Sequence, residues 1–406
     1  MRGTKLNRRD FMHTAAATGL VAISSRTAFG AEANSKLELG LIGCGGRGIW
    51  LGNLFQTNSN TKVVAVHDYF RDQADLAGNR LDVPTERRYV GMDGYKQLID
   101  SGVDAVAIVS PPCFHPAQAV AAMEAGKHVW LAKPIAVDVP GCQSIVDAAS
   151  RVKGKLTTFV DFQTRAMPVY REAVQRVREG AIGDLVCGQV FYHTGRLGLK
   201  ARPGTETARL RNWVFDKALS GDIIVEQNIH VIDVANWILN ATPIEAWGTG
   251  GRRVRTDVGD CWDHFLVTYR YPNDVLIDFS STQFNYGFED LCDRIFGSEG
   301  TVETHYGGQV FIKNKMGGWP GGGTDTIYQE GVINNIHAFT ASLESGNYLD
   351  NIQESAASNL SAILGRMAAY RQATVTWDEM LAEGEKLDPH FTLPDDGPET
   401  PRERPV

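Results

Sequence analysis

The first half of the chain alternates short apolar runs with helix-like segments. Four of the apolar runs, LELGLI, KVVAVHD, VDAVAIVS and HVWLA, have the length of strands and are rich in aliphatic residues. Runs that are apolar at nearly every position are typical of parallel strands covered by helices on both faces. Between the last two runs, residues Pro116 to Ala125 predict a helix that Gly126 ends. The pattern therefore predicts a doubly wound α/β domain over residues 34–160.

The second half follows a two-residue alternation of apolar and polar positions. Segments such as DLVCGQVFYHTG, DHFLVTYRYPNDVLIDFSSTQF and GSEGTVETHY are separated by turn residues. This pattern predicts antiparallel strands and hence an α+β domain with an open, mostly antiparallel sheet over residues 161–385. We expect this sheet to cover the mouth of the first domain and to form the face of a homo-oligomer. Residues 386–406 form a Pro-rich, charged tail, which we expect to be poorly ordered beyond Asp388.

The first 33 residues have the layout of a twin-arginine export signal. Arg8 and Arg9 precede a mild apolar run from Ala15 to Ile23, and small residues follow near position 33. A disordered basic tail is the alternative, but charge, apolar run and small residues come in the order of a signal. The expectation is therefore export by the twin-arginine route to the periplasm. This route carries folded proteins, often with a cofactor already inside.

Composition narrows the classes of partner. The chain is 43% hydrophobic and 22% charged, as in soluble two-domain proteins, and its net charge of −8 argues against a nucleic-acid surface. Beyond the signal, no apolar stretch is long enough for stable membrane insertion. The six cysteines are scattered and form no C-x-x-C pair. The sequence therefore predicts no metal site, and it leaves any disulfide pairing open.

A glycine motif follows the first predicted strand. Gly43, Gly45 and Gly48 fit the pattern G-x-G-x-x-G, which allows a tight turn and close approach of a pyrophosphate to a helix N-terminus. Asp68 ends the next strand, 20 residues beyond Gly48, where an acid accepts hydrogen bonds from ribose hydroxyls and repels a 2′-phosphate. These features predict NAD as the cofactor. The predicted contacts in the loop are Gly43, Gly45, Gly46, Arg47 and Gly48.

Lys133 stands at the end of the apolar run HVWLA, next to Pro134. A buried ammonium group is costly unless it is paired or used. The carboxyl ends of parallel strands are where ligands bind in such sheets. Lys133 is therefore a candidate for the reacting end of the cofactor site.

The stretch SPPCFHPAQAVAAMEAGKHVWLAKP resembles the segment of the glucose–fructose oxidoreductase, inositol dehydrogenase and rhizopine-catabolism family (Gfo/Idh/MocA) that ends in Glu-Lys-Pro. The resemblance implies that Lys133 lies beside the nicotinamide and touches the reacting hydroxyl of a sugar or cyclitol. Ala132 replaces the family's glutamate, which puts cofactor geometry there in question. The further cofactor contacts that we predict are Ser110, Pro111, His115, Lys133, Pro134 and Gln163.

The segment SGDIIVEQNIHVIDVANWILN predicts one helix with polar residues along one face. It is similar to the family's Asp-x-x-x-His-x-x-Asp element, which implies that His230 is the catalytic histidine and that Glu226 replaces the family acid. Asp233 is expected to orient the histidine or to cap local structure rather than to touch the substrate. VDFQTRAM resembles the family strand that brings an arginine, here Arg165, to the substrate. Trp213 is a candidate for stacking on a sugar or nicotinamide, with burial in the core as the alternative.

The leading hypothesis is an exported oxidoreductase that transfers hydride between tightly bound NAD and a hydroxyl carbon of a sugar, cyclitol or glycoside. Lys133 would stabilise alkoxide character and His230 would exchange the proton. One alternative is an NAD-dependent glycoside hydrolase, in which the hydride returns to the same molecule after elimination. A second alternative is an inactive relative that only binds a ligand, for which Ala132 is the single hint.

Overall fold

The computed structural model describes residues 36–398. The export signal predicted for residues 1–33 lies outside this range and stays a prediction. The elements of the first half are β1 (Leu37–Ile42), α1 (Gly46–Asn58), β2 (Thr61–Asp68), α2 (Arg71–Leu81), β3 (Arg88–Val90), α3 (Gly94–Asp100), β4 (Ala105–Ile108), α4 (His115–Glu124), β5 (His128–Ala132), α5 (Val139–Val152) and β6 (Thr158–Asp161).

These strands form a parallel sheet in the order β3-β2-β1-β4-β5-β6, six strands within the described residues. This is the order of a dinucleotide-binding fold, and the predicted Rossmann domain is confirmed. The β-branched and aliphatic residues of β1, β4 and β5 are buried on both faces, as their unbroken apolar pattern predicts. All strands end at one edge, which places the residues after β1, β2, β4 and β5 together.

The second half adds a mixed, mostly antiparallel sheet. Its elements are α6 (Gln163–Ala166), α7 (Pro168–Arg178), β7 (Leu185–Thr194), α8 (Glu206–Arg211), α9 (Lys217–Ser220), α10 (Ile223–Glu226), α11 (Ile229–Leu239), β8 (Glu245–Gly251), β9 (His264–Arg270), β10 (Leu276–Gln283), β11 (Asp290–Gly297), β12 (Gly300–His305), β13 (Gln309–Asn314), β14 (Trp319–Gly323), α12 (Ile327–Ser345), α13 (Ile352–Arg371), β15 (Val375–Thr376) and α14 (Trp377–Glu383). Its strand order is β14-β13-β12-β11-β7-β10-β9-β8-β15 in the described part, with β7 and β10 parallel.

Helices α12 and α13 return to the first sheet. The Phe339 ring of α12 lies 5.6 Å from that of Trp130 in β5 and 6.1 Å from that of Phe55 in α1. On α13, the Asn359 Oδ1 atom accepts a hydrogen bond of 2.9 Å from the Ile135 backbone N–H. Part of the second half therefore completes the core of the first, and the domain boundary at residue 160 stays a prediction.

The C-terminal tail is the clearest departure from expectation. We predicted poor order beyond Asp388, yet residues up to Pro398 have a defined path along the first domain. Phe391 stacks on Phe114 with ring centroids 5.5 Å apart, and the Tyr69 hydroxyl donates to the Pro394 carbonyl at 3.0 Å. For residues 389–398 the prediction was wrong, because composition indicates a low capacity to form a core but not whether an existing surface offers one. Residues 399–406 lie outside the described residues.

Within residues 36–398, no helix combines the length and apolarity needed to cross a bilayer.

Candidate active site

The glycine loop between β1 and α1 lets neighbouring backbone segments approach closely, because its glycines have no side chains. Gly43 has φ +94°, and a Cβ there would lie 2.5 Å from the Ser110 backbone nitrogen. A Cβ on Gly48 would lie 1.9 Å from the Gly43 carbonyl oxygen, so α1 can pack against the loop only without a side chain. Gly45 and Gly46, in contrast, face open space with no atom within 4 Å of an added Cβ. The open space stands at the N-terminus of α1, which fits the pyrophosphate of a dinucleotide.

A cavity of about 530 Å³ lies over this loop. Asp68 lines it, with its Oδ2 accepting from the Cys44 N–H at 2.8 Å and its Oδ1 from the Phe70 N–H at 2.9 Å. Each carboxylate oxygen keeps a further acceptor position, as the predicted ribose contact requires. Burial raises the pKa of Asp68 to about 6, opposed by these backbone hydrogen bonds and by the positive charge of Arg211. Ser110 and Pro111 line the same cavity, as predicted.

Lys133 follows β5 directly at the carboxyl edge and reaches into the second half. Its Nζ donates to the Glu226 carbonyl at 2.6 Å and lies 3.5 Å from the Glu226 Oε1 atom. Both side chains are 14% exposed. Burial lowers the pKa of Lys133 and Arg47 lowers it further, while the Glu226 charge opposes both. The structure therefore brings two predicted site residues from different halves of the chain into one ion pair.

His230 lies in the first turn of α11, within reach of the electrostatic influence of Lys133. Its ring lies 5.4 Å from that of Tyr306 and 6.4 Å from that of Phe162. Burial lowers its pKa well below the ordinary value, and the positive charges of Lys133 and Arg47 lower it further. His230 is therefore neutral near pH 7 and able to accept a proton. Its Nδ1 atom is buried with no hydrogen-bond partner among the described residues.

The predicted single helix over residues 220–240 is wrong. The chain forms α10 up to Glu226, turns at Gln227 and Asn228, and begins α11 at Ile229. The Asn228 N–H bonds back to the Ile223 carbonyl at 2.9 Å, which closes the turn. The break lets the Glu226 carbonyl accept from Lys133 instead of continuing the helical ladder.

Asp233 and Arg165 are paired with each other. Asp233 is fully buried, accepts from Arg165 Nε at 2.9 Å and Nη2 at 2.9 Å, and accepts from the Ser358 hydroxyl at 2.7 Å. The expectation that it orients His230 is therefore wrong. Arg165 also donates to Glu354 at 2.6 Å, so three of its five N–H donors hold α6 to α11 and α13, and its contact with a substrate stays a prediction. An isolated Asp would be costly there, which explains the pairing.

Three other predicted contacts are placed elsewhere. His115 is buried with both ring nitrogens 2.8 Å from the carbonyls of Ser110 and Pro134, so it joins the ends of β4 and β5 and presents no free nitrogen to a cofactor. Gln163 is 2% exposed and has its amide bonded to the Tyr328 carbonyl and the Tyr306 hydroxyl. Pro134 is buried behind Lys133. These residues shape the site from behind.

Trp213 lies at the wall of the dinucleotide cavity, packed among Tyr69, Phe70 and Leu210. The structure does not bring it to Lys133 and His230, so its predicted contact with a substrate is not supported. It belongs to the aromatic surroundings of Asp68.

Sequence reasoning missed the partners of Arg47. The Arg47 Nη2 atom donates to Asp161 at 2.8 Å, and the guanidinium lies against the rings of Trp50 and Tyr328. Asp161 is buried at the end of β6 and pairs in register with Ala132. A carboxylate therefore stands one strand away from the position where the family has its glutamate. Its place after a predicted strand, two residues before Gln163, was the available signal.

A further ion-pair network lies on the second sheet. His305 Nε2 contacts Glu303 at 2.7 Å, and its Nδ1 is 3.6 Å from Asp290, beside Cys292. These groups come together by register between β11 and β12, which the sequence alone did not indicate.

Comparison with known proteins agrees with this geometry. Residues 37–160 match the GFO/IDH/MocA oxidoreductase family, NAD-binding Rossmann fold, and residues 170–303 match the GFO/IDH/MocA C-terminal domain. The inositol 2-dehydrogenase of Acidothermus cellulolyticus is 30% identical over 268 residues, which cover 66% of this chain and 72% of that protein. The scyllo-inositol 2-dehydrogenase (NAD(+)) of Bacillus subtilis is 26% identical over 254 residues, with coverages of 62% and 68%.

Two solved structures share the fold. The scyllo-inositol dehydrogenase of Lactobacillus casei with bound NAD(H) and scyllo-inositol has a TM-score of 0.67 at 20% identity, covering 84% of this chain and 99% of that one. Levoglucosan dehydrogenase in complex with NADH and levoglucosan has a TM-score of 0.69 at 19% identity, with the same coverages.

Proposed function

Because the chain belongs to the GFO/IDH/MocA family and is an NAD-dependent oxidoreductase acting on CH–OH groups of carbohydrates, we propose that it oxidises a ring hydroxyl of a cyclitol or sugar with Lys133 and His230 as its catalytic residues. The observation that carries this proposal is the Lys133–Glu226 pair at the carboxyl edge of the parallel sheet, with His230 close enough for the charge of Lys133 to lower its pKa.

NAD, when bound over the glycine loop, supplies the hydride acceptor. The Lys133 ammonium group stabilises negative charge that develops on the oxygen of the reacting hydroxyl. His230 accepts the proton of that hydroxyl, because burial and two neighbouring cations keep its imidazole neutral. In the reverse direction the same two groups stabilise and reprotonate the oxygen.

Glu226 positions the substrate in this proposal. Its carboxylate lies 3.5 Å from Lys133, so a neighbouring hydroxyl can donate to it while the reacting oxygen accepts from Lys133. Two adjacent hydroxyls bound in this way would fix which carbon faces the hydride acceptor. A polyol ring offers such a pair, in keeping with the inositol dehydrogenases among the relatives.

The test is a screen of the purified full-length protein against inositols, pyranoses and glycosides, followed by nicotinamide absorbance and product analysis. We expect a keto product and NADH in equal amounts. Release of an aglycone without net NADH would replace this proposal by the glycoside hydrolase alternative, which the named relatives do not favour. Binding of a ligand with no turnover of any compound would contradict the proposal.

Export by the twin-arginine route also remains our proposal, supported by the order of charge, apolar run and small residues at positions 8–33. Arg8→Lys combined with Arg9→Lys should retain the protein in the cytoplasm, while Arg26→Lys, in the same segment, should not. Normal export of the double variant would contradict this interpretation.

Homo-oligomerisation through the second sheet is supported by apolar side chains on its outer face. Trp247, Leu266 and Leu276 lie on the neighbouring strands β8, β9 and β10 and are 44–52% exposed. Sedimentation of the wild type and of Leu266→Arg tests this proposal. We expect a larger species that the substitution dissociates, and a monomeric wild type would contradict it.

A further inference from the structure

One wall of the dinucleotide cavity is backed on its outer side by the C-terminal segment, residues 387–397. The Leu387 N–H donates to the Asp138 Oδ2 atom at 2.9 Å at the start of the segment. Near its end, the Met92 N–H donates to the Asp395 carbonyl at 2.7 Å. The segment is thus held at both ends by residues of the first domain.

Aromatic contacts hold the middle of the segment. The Phe391 ring stacks on Phe114 with an angle of 7° between the ring planes. The Arg209 guanidinium lies over the Phe391 ring, 5.7 Å from its centroid. Arg209 also donates to the Pro389 carbonyl at 2.8 Å. Phe391 and Leu393 therefore fill a hydrophobic cluster that is shared between both halves of the chain.

The residues beneath this segment are walls of the cavity itself. Tyr69, Gly91, Met92 and Phe114 contact residues 387–397 on one side and line the cavity on the other. Gly91 shows how close the approach is, because a Cβ there would lie 2.3 Å from the Asp395 carbonyl oxygen. These walls follow β2, β3 and β4, next to Asp68, which is the adenosine end of such a site.

Another wall comes from the segment between β7 and α9, which includes α8. Leu199, Lys200, Leu210 and Arg211 line the cavity from this side. Arg211 is anchored by an ion pair of 2.8 Å to Asp72, with its guanidinium 3.8 Å from the Phe70 ring centroid. The adenosine end is therefore bounded by this segment and by the wall that residues 387–397 back from outside.

We infer that residues 387–397 hold NAD(H) as a resident cofactor by keeping the wall of Tyr69, Met92 and Phe114 in place around its adenosine end. Exchange of the cofactor then requires the segment to detach from Phe114 and Tyr69. A closing element of this kind slows both entry and exit of a ligand, whereas loss of a direct contact mainly speeds exit. The inference rests on NAD binding and not on the identity of the polyol, so the two can fail separately.

Rapid-mixing measurements on the full-length protein test the inference. NADH fluorescence reports association, and release is followed after addition of excess ADP-ribose. Phe391→Ala should raise both rate constants about tenfold, with a much smaller change in the Kd. Thr392→Ala is the matched control, because that side chain is exposed on the same segment, and it should leave both rates unchanged.

Arg209→Gln provides a second variant, since it removes the contacts to Pro389 and Phe391 without altering the segment. It should raise both rates in the same direction as Phe391→Ala. Unchanged release in both variants would overturn the inference. Weaker binding with unchanged or slower association would also overturn it, because this result indicates a wall that merely supports the bound cofactor.

Discussion

The affinity for NAD should depend on the ionisation of Asp68. Burial raises the pKa of this carboxyl to about 6, so it is ionised above pH 6 and takes up a proton below it. Ribose hydroxyls donate to the carboxylate, and binding therefore favours the ionised form and lowers its pKa in the complex. The affinity is consequently full above pH 6 and falls as the pH drops through about 6. Binding proceeds without penalty at pH 8.

The magnitude follows from the pKa. At pH 5 the protonated form of the free protein outnumbers the ionised form by about ten to one, which weakens binding about tenfold, or about 1.4 kcal/mol. Asp68→Asn should bind NAD more weakly at pH 8, by about 2 kcal/mol for the lost charge-assisted hydrogen bonds, and should show no such pH dependence. Calorimetric titration from pH 8 to pH 5 measures both. A constant Kd in the wild type, or an equal slope in Asp68→Asn, would refute the reasoning.

Three further predictions concern other parts of the molecule. The pKa of His230 is lowered, so its neutral form persists as the pH falls below the ordinary histidine range. We therefore expect kcat/KM to stay flat in that range and to decline only at lower pH. A decline centred near pH 6.5 would count against His230 as the base. Gly48→Ala should abolish NAD binding in equilibrium dialysis, because the added Cβ would meet the Gly43 carbonyl oxygen at 1.9 Å; retained binding would show that the loop adapts. Arg165→Met leaves Asp233 buried without its cation and should lower the free energy of unfolding by about 3 kcal/mol in urea titrations. Arg165→Lys should lower it less, and equal stability of all three proteins would show that the ion pair is dispensable.

The sequence predicted the features that depend on local periodicity and on glycines where the backbone leaves no room for a side chain. The parallel strands, the glycine loop and the placement of Lys133 at the sheet edge follow from patterns within a few dozen residues, and the structure confirms them. The ion pair of Lys133 with Glu226 joins residues 93 positions apart, and only the family resemblance brought the two together beforehand.

The errors have a common physical origin, because contacts with residues distant in the sequence decide which partner each side chain takes. Helical spacing placed His230 and Asp233 on one face of α11, but it carried no information about Arg165, which takes both oxygens of Asp233. Trp213 is equally suited to a sugar or a core, and its place beside Phe70 at the wall of the cavity depends on contacts that the sequence does not show. The tail was misjudged for the same reason, because Phe391 stacks on Phe114, which lies far from it in the sequence.

The central claim is that Lys133 and His230 act together on the hydroxyl while the cofactor is held elsewhere. Single-turnover reduction of bound NAD by a polyol substrate should slow by about a hundred- to ten-thousand-fold in His230→Ala and comparably in Lys133→Met. His337→Ala and Lys62→Met, which change exposed residues, are the matched controls and should react at the wild-type rate.

The most direct measurement is this single-turnover rate in the double variant Lys133→Met with His230→Ala, alongside the amount of NAD bound. Because both groups act on one transition state, the account predicts a rate little below that of the slower single variant, with NAD bound in full. Wild-type rates in either single variant would remove that residue from the mechanism. Loss of bound NAD in step with loss of rate would contradict the separation of cofactor binding from catalysis.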